Sequence, residues 1–252
     1  MTNAKPRIDW RRASGEIAII IAGVLIALWV EEWREARADR ALEREYIARL
    51  EEDLIQDSIG LADLTAHVAR TNRAARMLRA LVEDPAEGSP GNAVIVAALE
   101  EARSIQNNPW TDGTYTELLA TGNMAVLRSG ELKSKLNVYY LTLEGLYTWV
   151  ERRVDRTFRD RTADILPPEV REGIYLRHFW SWDTTREIPS DEWLDSAAET
   201  VDVQVVLAKL RTVDDVDLLL GRVIDLTSGH QEYLKTASAL HADLLRTLRS
   251  AL

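Results

Sequence analysis

Residues 47–82 read IARLEEDLIQDSIGLADLTAHVARTNRAARMLRALV, and the spacing of their apolar side chains decides the fold. Ile47, Leu50, Leu54, Leu61, Leu64, Val68, Ala75, Leu78 and Val82 recur in steps of three and four, with Asp57 and Thr71 as polar gaps in the seam. Glu43, Arg44, Glu51, Glu52, Arg70 and Arg73 occupy the other faces. That is the period of an amphipathic helix. A spacing near 3.5 predicts packing against another long helix at a shallow angle. No proline interrupts Glu31 to Glu83, and Gly60 is the single glycine there. The helix is therefore expected to run unbroken to Asp84-Pro85, where PAEGSPGN has the chemistry of a loop.

The chain beyond that loop repeats the helical pattern. Ala93 to Gln106 reads as a shorter helix closed by Asn107-Asn108-Pro109, and short helices follow, broken at Gly113, Gly122 and Gly130. From Glu131 to about Ala163, Leu136, Tyr140, Leu143, Tyr147, Val150 and Val154 form one stripe, stopped by Leu166-Pro167-Pro168. Residues 169–200 read as short and irregular. A last long helix is expected from about Val213, with the stripe Leu219, Val223, Leu226, His230, Tyr233, Ala237, Leu240 and Leu244. No useful stretch alternates with period two, so the fold class is all-α.

Upstream of the first seam, Ile17 to Val30 reads IAIIIAGVLIALWV, fourteen residues without a charge. As a helix the run covers about 21 Å of a roughly 30 Å hydrocarbon core. Trp10 precedes it and Trp29 and Trp33 close it. Trp10 to Trp33 is about 35 Å, which matches two interfacial belts with slight tilt. A cleaved signal peptide is disfavoured because the run continues into charged, helix-favouring WVEEWREARADR. A buried core helix is the remaining alternative, disfavoured by the bracketing tryptophans and the basic tail. The expectation is a transmembrane helix over 13–33 that continues into an extramembrane bundle of three long helices plus several short ones. Ala18, Ala22, Gly23 and Ala27 are small residues four apart within it, suited to close helix packing. Lys5, Arg7, Arg11 and Arg12 against Asp9 alone place a tail of residues 1–12 in the cytoplasm, and a domain of residues 34–252 in the periplasm of a bacterial inner membrane.

Composition narrows the functional classes. The chain has 252 residues, a hydrophobic share of 46% and a formal net charge of −10. That share excludes intrinsic disorder, and the acidic balance argues against nucleic acid as a partner. With no cysteine, disulfide frameworks, thiolate metal sites and cysteine nucleophiles are excluded.

Two patches resemble a known family. Gly15-Glu16-Ile17, then Ile26-Ala27-Leu28 and a tryptophan-glutamate boundary, then Tyr46, Leu50, Asp53 and Leu54, make the first. Thr114-Tyr115, Glu117-Leu118, Gly122-Asn123, Leu127, Leu132 and Tyr139-Tyr140 make the second. In order and spacing the chain resembles a family of bacterial single-pass membrane proteins of unknown function with an N-terminal GEI…IAL…W.E anchor. The resemblance covers about half the chain and implies no activity and no catalytic residue.

Chemistry-bearing patterns are sparse. His67, His178, His230 and His241 show no HExxH spacing, and no nucleophile elbow, P-loop or dinucleotide fingerprint occurs. No catalytic, cofactor-binding or metal-binding residue is assigned. Eight tryptophans against two phenylalanines is an unusual balance. Beyond the three at the anchor, Tyr175, Phe179, Trp180, Trp182 and Trp193 form an aromatic cluster suited to docking a partner. The expected function is a non-enzymatic accessory subunit of a membrane assembly (respiratory, light-harvesting or envelope), with the bilayer and other membrane subunits as partners. A periplasmic sensor or ligand-binding module is the alternative.

Overall fold

The computed structural model describes residues 10–84, 90–106, 110–179 and 191–250, and the side chains of 21–84, 90–106, 110–174 and 195–250. All regular structure in it is helical: α1 (Trp10–Glu83), α2 (Asn92–Arg103), α3 (Gly113–Ala120), a 3-10 turn (Asn123–Ala125), α4 (Gly130–Arg153), α5 (Thr157–Arg161), α6 (Pro168–Phe179), α7 (Asp191–Glu199), α8 (Val203–Arg211) and α9 (Val216–Ser250). The fold is all-α, with α1, α4 and α9 as the three long helices.

Local chemistry sets the helix ends. Gly122 lies at φ 74, the left-handed position just past α3 that a side chain would disfavour. Ser129 caps α4 by accepting the Leu132 N–H at 3.1 Å, and Asp202 caps α8 through the Gln204 and Val205 N–H groups. Two expected boundaries move. The helix from Glu131 ends at Arg153 rather than near Ala163, because Asp155 turns its carboxylate onto the Thr157 N–H at 2.9 Å and starts α5. Residues 169–200, read as irregular, hold α6 and α7 instead; Pro168 supplies the fixed φ that suits a first helical position.

Helices α1 and α9 run antiparallel along most of the bundle, as their polar contacts record: Arg249 to Glu51 at 2.8 Å, His241 to the Leu54 carbonyl at 2.7 Å, Asn72 to Thr227 at 2.8 Å, and Arg79 to Asp217 at 2.6 Å. Helix α4 also runs antiparallel to α9, with Lys135 reaching Asp243 at 2.7 Å. One apolar core gathers α1 from Tyr46 to Val68 with α3, α4 and the second half of α9. A second gathers α1 from Ala74 to Leu81 with α2 and α5 to α8. Between them, Asn72 donates to Thr227, Ser228 and the Ile224 carbonyl, and Thr71 donates to the Ser104 carbonyl.

The α1 seam is buried as its spacing predicts, from Leu50 and Leu54 through Leu64 to Ala75 and Leu78. On α4 and α9 the expected stripe is buried at Leu136, Tyr140, Leu143 and Val150 and at Leu219, Val223, Leu226, His230, Ala237 and Leu244, and it departs from burial at Tyr147 and Tyr233. Tyr139 and Leu146 are buried where Tyr147 is exposed, and Leu234 and His241 are buried where Tyr233 is exposed.

Residues 21–30 are exposed in every direction, and so are nearly all of 31–41. Among the described residues, no helix is long and apolar enough to cross a membrane. Side chains are described for the second portion of the expected 13–33 span, 21–33; those of 13–20, Ala18 included, lie outside.

Candidate functional site

The Tyr46–Leu54 part of the first patch quoted for the family resemblance meets the second patch at one place. Asp53 and Asp57 lie one turn apart on α1 and face the N-terminus of α3. Asp53 accepts the Thr114 N–H at 3.0 Å, and Asp57 accepts the Thr111 N–H at 2.9 Å. Carboxylates there satisfy orphan amides and oppose the positive end of the short helix. The other Asp57 oxygen accepts the Tyr139 hydroxyl at 3.0 Å. Tyr140 stacks on Tyr115 with centroids 4.4 Å apart and donates to the Thr111 carbonyl. Below them, Tyr46 donates to Glu117 at 3.1 Å and accepts from Asn123 at 2.8 Å, while Arg49 grips both Glu117 oxygens. Leu50, Leu54, Leu118, Leu127 and Leu132 fill the space around this network.

Burial pushes the Asp57 carboxyl up to about 6, against the pull of its two donors and of His241. The phenols of Tyr139 and Tyr140 are raised by burial and by the nearby carboxylates, so both stay protonated donors. Every Asp57 oxygen is occupied by the chain's own groups. The arrangement clamps α3 and the loop before it onto α1 and α4.

The histidines fall in separate places. His67 Nε2 lies 3.3 Å from the Ser104 carbonyl, and His241 Nε2 donates to the Leu54 carbonyl. His230 is buried with no partner on Nε2 among the described residues, and burial alone holds its pKa down to about 4, so it is neutral at physiological pH. The side chain of His178, on α6, lies outside the described residues. Among the described residues, no group of three or more metal-ligating side chains is placed to hold an ion.

Comparison with protein-family models, curated proteins and solved structures finds no match for this chain.

Of the expected docking aromatics, Trp180 and Trp182 lie outside the described residues, as do the side chains of Tyr175 and Phe179 on α6 and Trp193 on α7. Trp10 is likewise undescribed beyond its place at the start of α1. Trp29 and Trp33 are 65% and 53% exposed. Ala22, Gly23 and Ala27 are exposed along the same stretch, and open space surrounds Gly23.

One aromatic site escaped the sequence reading. Trp149 sets the edge of its indole against α9 at Gly229, where a Cβ would come within 2.6 Å of the ring. Tyr233 meets the ring at 5.2 Å and Arg153 covers it at 4.7 Å. The available signal was Gly229 itself, a helix-weakening residue inside a strong helical pattern.

Proposed function

We propose that this chain is a non-enzymatic, single-pass membrane protein that serves as a structural or accessory interaction subunit of a larger membrane assembly. In this reading residues 13–33 lie in a bacterial inner membrane, residues 1–12 face the cytoplasm, and the bundle stands in the periplasm.

The exposure of residues 21–30 carries the proposal. Ile21, Val24, Leu25, Ile26, Leu28 and Trp29 are each more than half exposed, and at about 100° per residue they cover about 200° of the helix; exposed Ala22, Gly23, Ala27 and Val30 cover the rest, so no face is polar. A protein partner would cover one face of such a helix, whereas lipid covers all of them. The ten described residues are too short to span a bilayer; the charge-free sequence from Ile17 and the tryptophans at 10 and 33 extend the run to a membrane's thickness.

Helix α1 is continuous from this stretch into the bundle. From Trp33 to Leu42, where packing begins, about 14 Å of helix stands alone, and the packed part of α1 to Val82 rises about 60 Å further. A rod of that kind presents the bundle at a set height to neighbours in the same membrane, where confinement raises effective concentration. The clamp between α1 and α3 supports the same reading, since its polar groups hold helices together.

The test is extraction from native membranes in mild detergent, followed by sizing and identification of co-migrating chains. A discrete assembly larger than the chain is expected; a lone monomer would overturn the proposal.

A further inference from the structure

Helices α4 and α9 share an outer face that stays open among the described residues. Leu141 is 56% exposed and Tyr233 39%, and Trp149 lies between them across Gly229. Gly145 forms the floor, with open space where a Cβ would stand. Together they line a shallow groove of about 440 Å³ with Arg152 and Arg153 at one end. Arg152 and Arg156 are exposed and make no ion pair among the described residues; Arg153 is spent on the Trp149 ring. Glu144 also lines the groove, and Arg152 and Arg153 outnumber it there, so the end that holds them is positive in a chain of net charge −10.

The groove's height excludes lipid as its occupant. Trp149 sits at Gly229, and Asn72 bonds Thr227 and Ser228, so the shelf is level with residues near 70 of α1. That is about 55 Å beyond Trp33 at 1.5 Å per residue. The surface is too open to enclose a small molecule. Its composition, Trp, Tyr and Arg around a glycine floor, is that of a protein-binding hot spot, and the missing Gly145 side chain lets a second helix approach α4 closely.

We infer that this face seats an amphipathic helix of a partner subunit, its apolar side in the Leu141–Gly145–Trp149 groove and its acidic end over Arg152 and Arg153. The inference rests on the proposed role as an interaction subunit and adds the surface and the partner's chemistry.

The test uses the full chain in detergent micelles and three labelled helical peptides. They share one apolar face of leucines and alanines and end in glutamates, serines or lysines, and binding is read by fluorescence anisotropy. The glutamate peptide is expected to bind about tenfold tighter than the lysine peptide, equivalent to about 1.4 kcal/mol. R152E/R153E should reverse that order, and Gly145→Trp should block all three peptides while leaving the melting curve in place. Equal binding of the peptides, or an order unmoved by R152E/R153E, overturns the inference. If Gly145→Trp fails to fold, the charge reversal alone decides. The two readings fail separately: a native assembly that R152E/R153E leaves intact overturns this surface alone, whereas a monomeric wild type overturns the proposed function.

Discussion

Replacing Asp57 by Asn should make the protein more stable at neutral pH, although it alters a buried and fully hydrogen-bonded residue. The Asp57 carboxyl titrates near 6 in the fold against an ordinary 3.8. A carboxyl raised on folding binds its proton more tightly in the native state, so its contribution is most favourable in acid. It is lost as pH rises from about 4, and above 6 the native state carries a cost of about 3 kcal/mol, at 1.36 kcal/mol per pH unit. Asparagine cannot ionise, keeps an oxygen for the Thr111 N–H and turns an amide toward the Tyr139 hydroxyl, which can then accept. Allowing about 1 kcal/mol for the altered Tyr139 bond, Asp57→Asn should gain about 2 kcal/mol at pH 7.5 and lose about 1 kcal/mol at pH 4. Urea unfolding of the full chain in micelles, followed by helical circular dichroism across that range, measures both ends. A variant whose stability relative to wild type does not rise by at least about 1 kcal/mol between pH 4 and 7.5 would refute the assignment of burial as the dominant cause.

His230 acts with the opposite sign. Its pKa falls from 6.5 to about 4 on folding, so its neutral form contributes stability above pH 6.5 that is lost as pH drops toward 4. His230→Leu should therefore flatten acid destabilisation by about 3 kcal/mol over that window, read in the same titration; an unchanged acid limb would contradict it. Gly229→Ala should cost about 1 kcal/mol with Trp149 present, through collision with the indole, yet gain about as much in a Trp149→Ala background, where only helix propensity remains. Melting temperatures of the double-mutant cycle decide, and effects of one sign in both backgrounds would break the argument. Tyr46→Phe removes the bonds to Glu117 and Asn123 and should lower stability by about 1 kcal/mol, with faster hydrogen exchange concentrated in α3. Loss spread evenly over the bundle would place the clamp elsewhere.

The helical class and the α1 seam were legible because they depend on local periodicity, and α1 is long enough to repeat its pattern many times. Asp57 and Thr71 were visible as gaps in that seam. Their purpose was not, since Thr111, Tyr139 and Ser104 reach them only through tertiary folding. Boundaries failed where one side chain overrode a pattern, as Asp155 does in ending α4. The aromatic shelf was missed for a related reason: Tyr233 fits an ideal stripe at the sequence level, yet it is exposed between buried His230 and Ala237, and the Trp149 it meets stands on another helix. The acidic pair Glu51 and Glu52 beside Asp53 reads as a solvated face, yet Asp53 caps α3 and Glu51 pairs with Arg249, contacts between residues up to 198 positions apart.

The most direct measurement of the central claim is alkaline carbonate washing of membranes from cells that make the full chain, beside a variant carrying Leu25→Lys and Leu28→Lys. The account predicts that the wild-type chain stays with the sedimented bilayer and that the doubly charged variant is released. A wild-type chain recovered in the supernatant would contradict it.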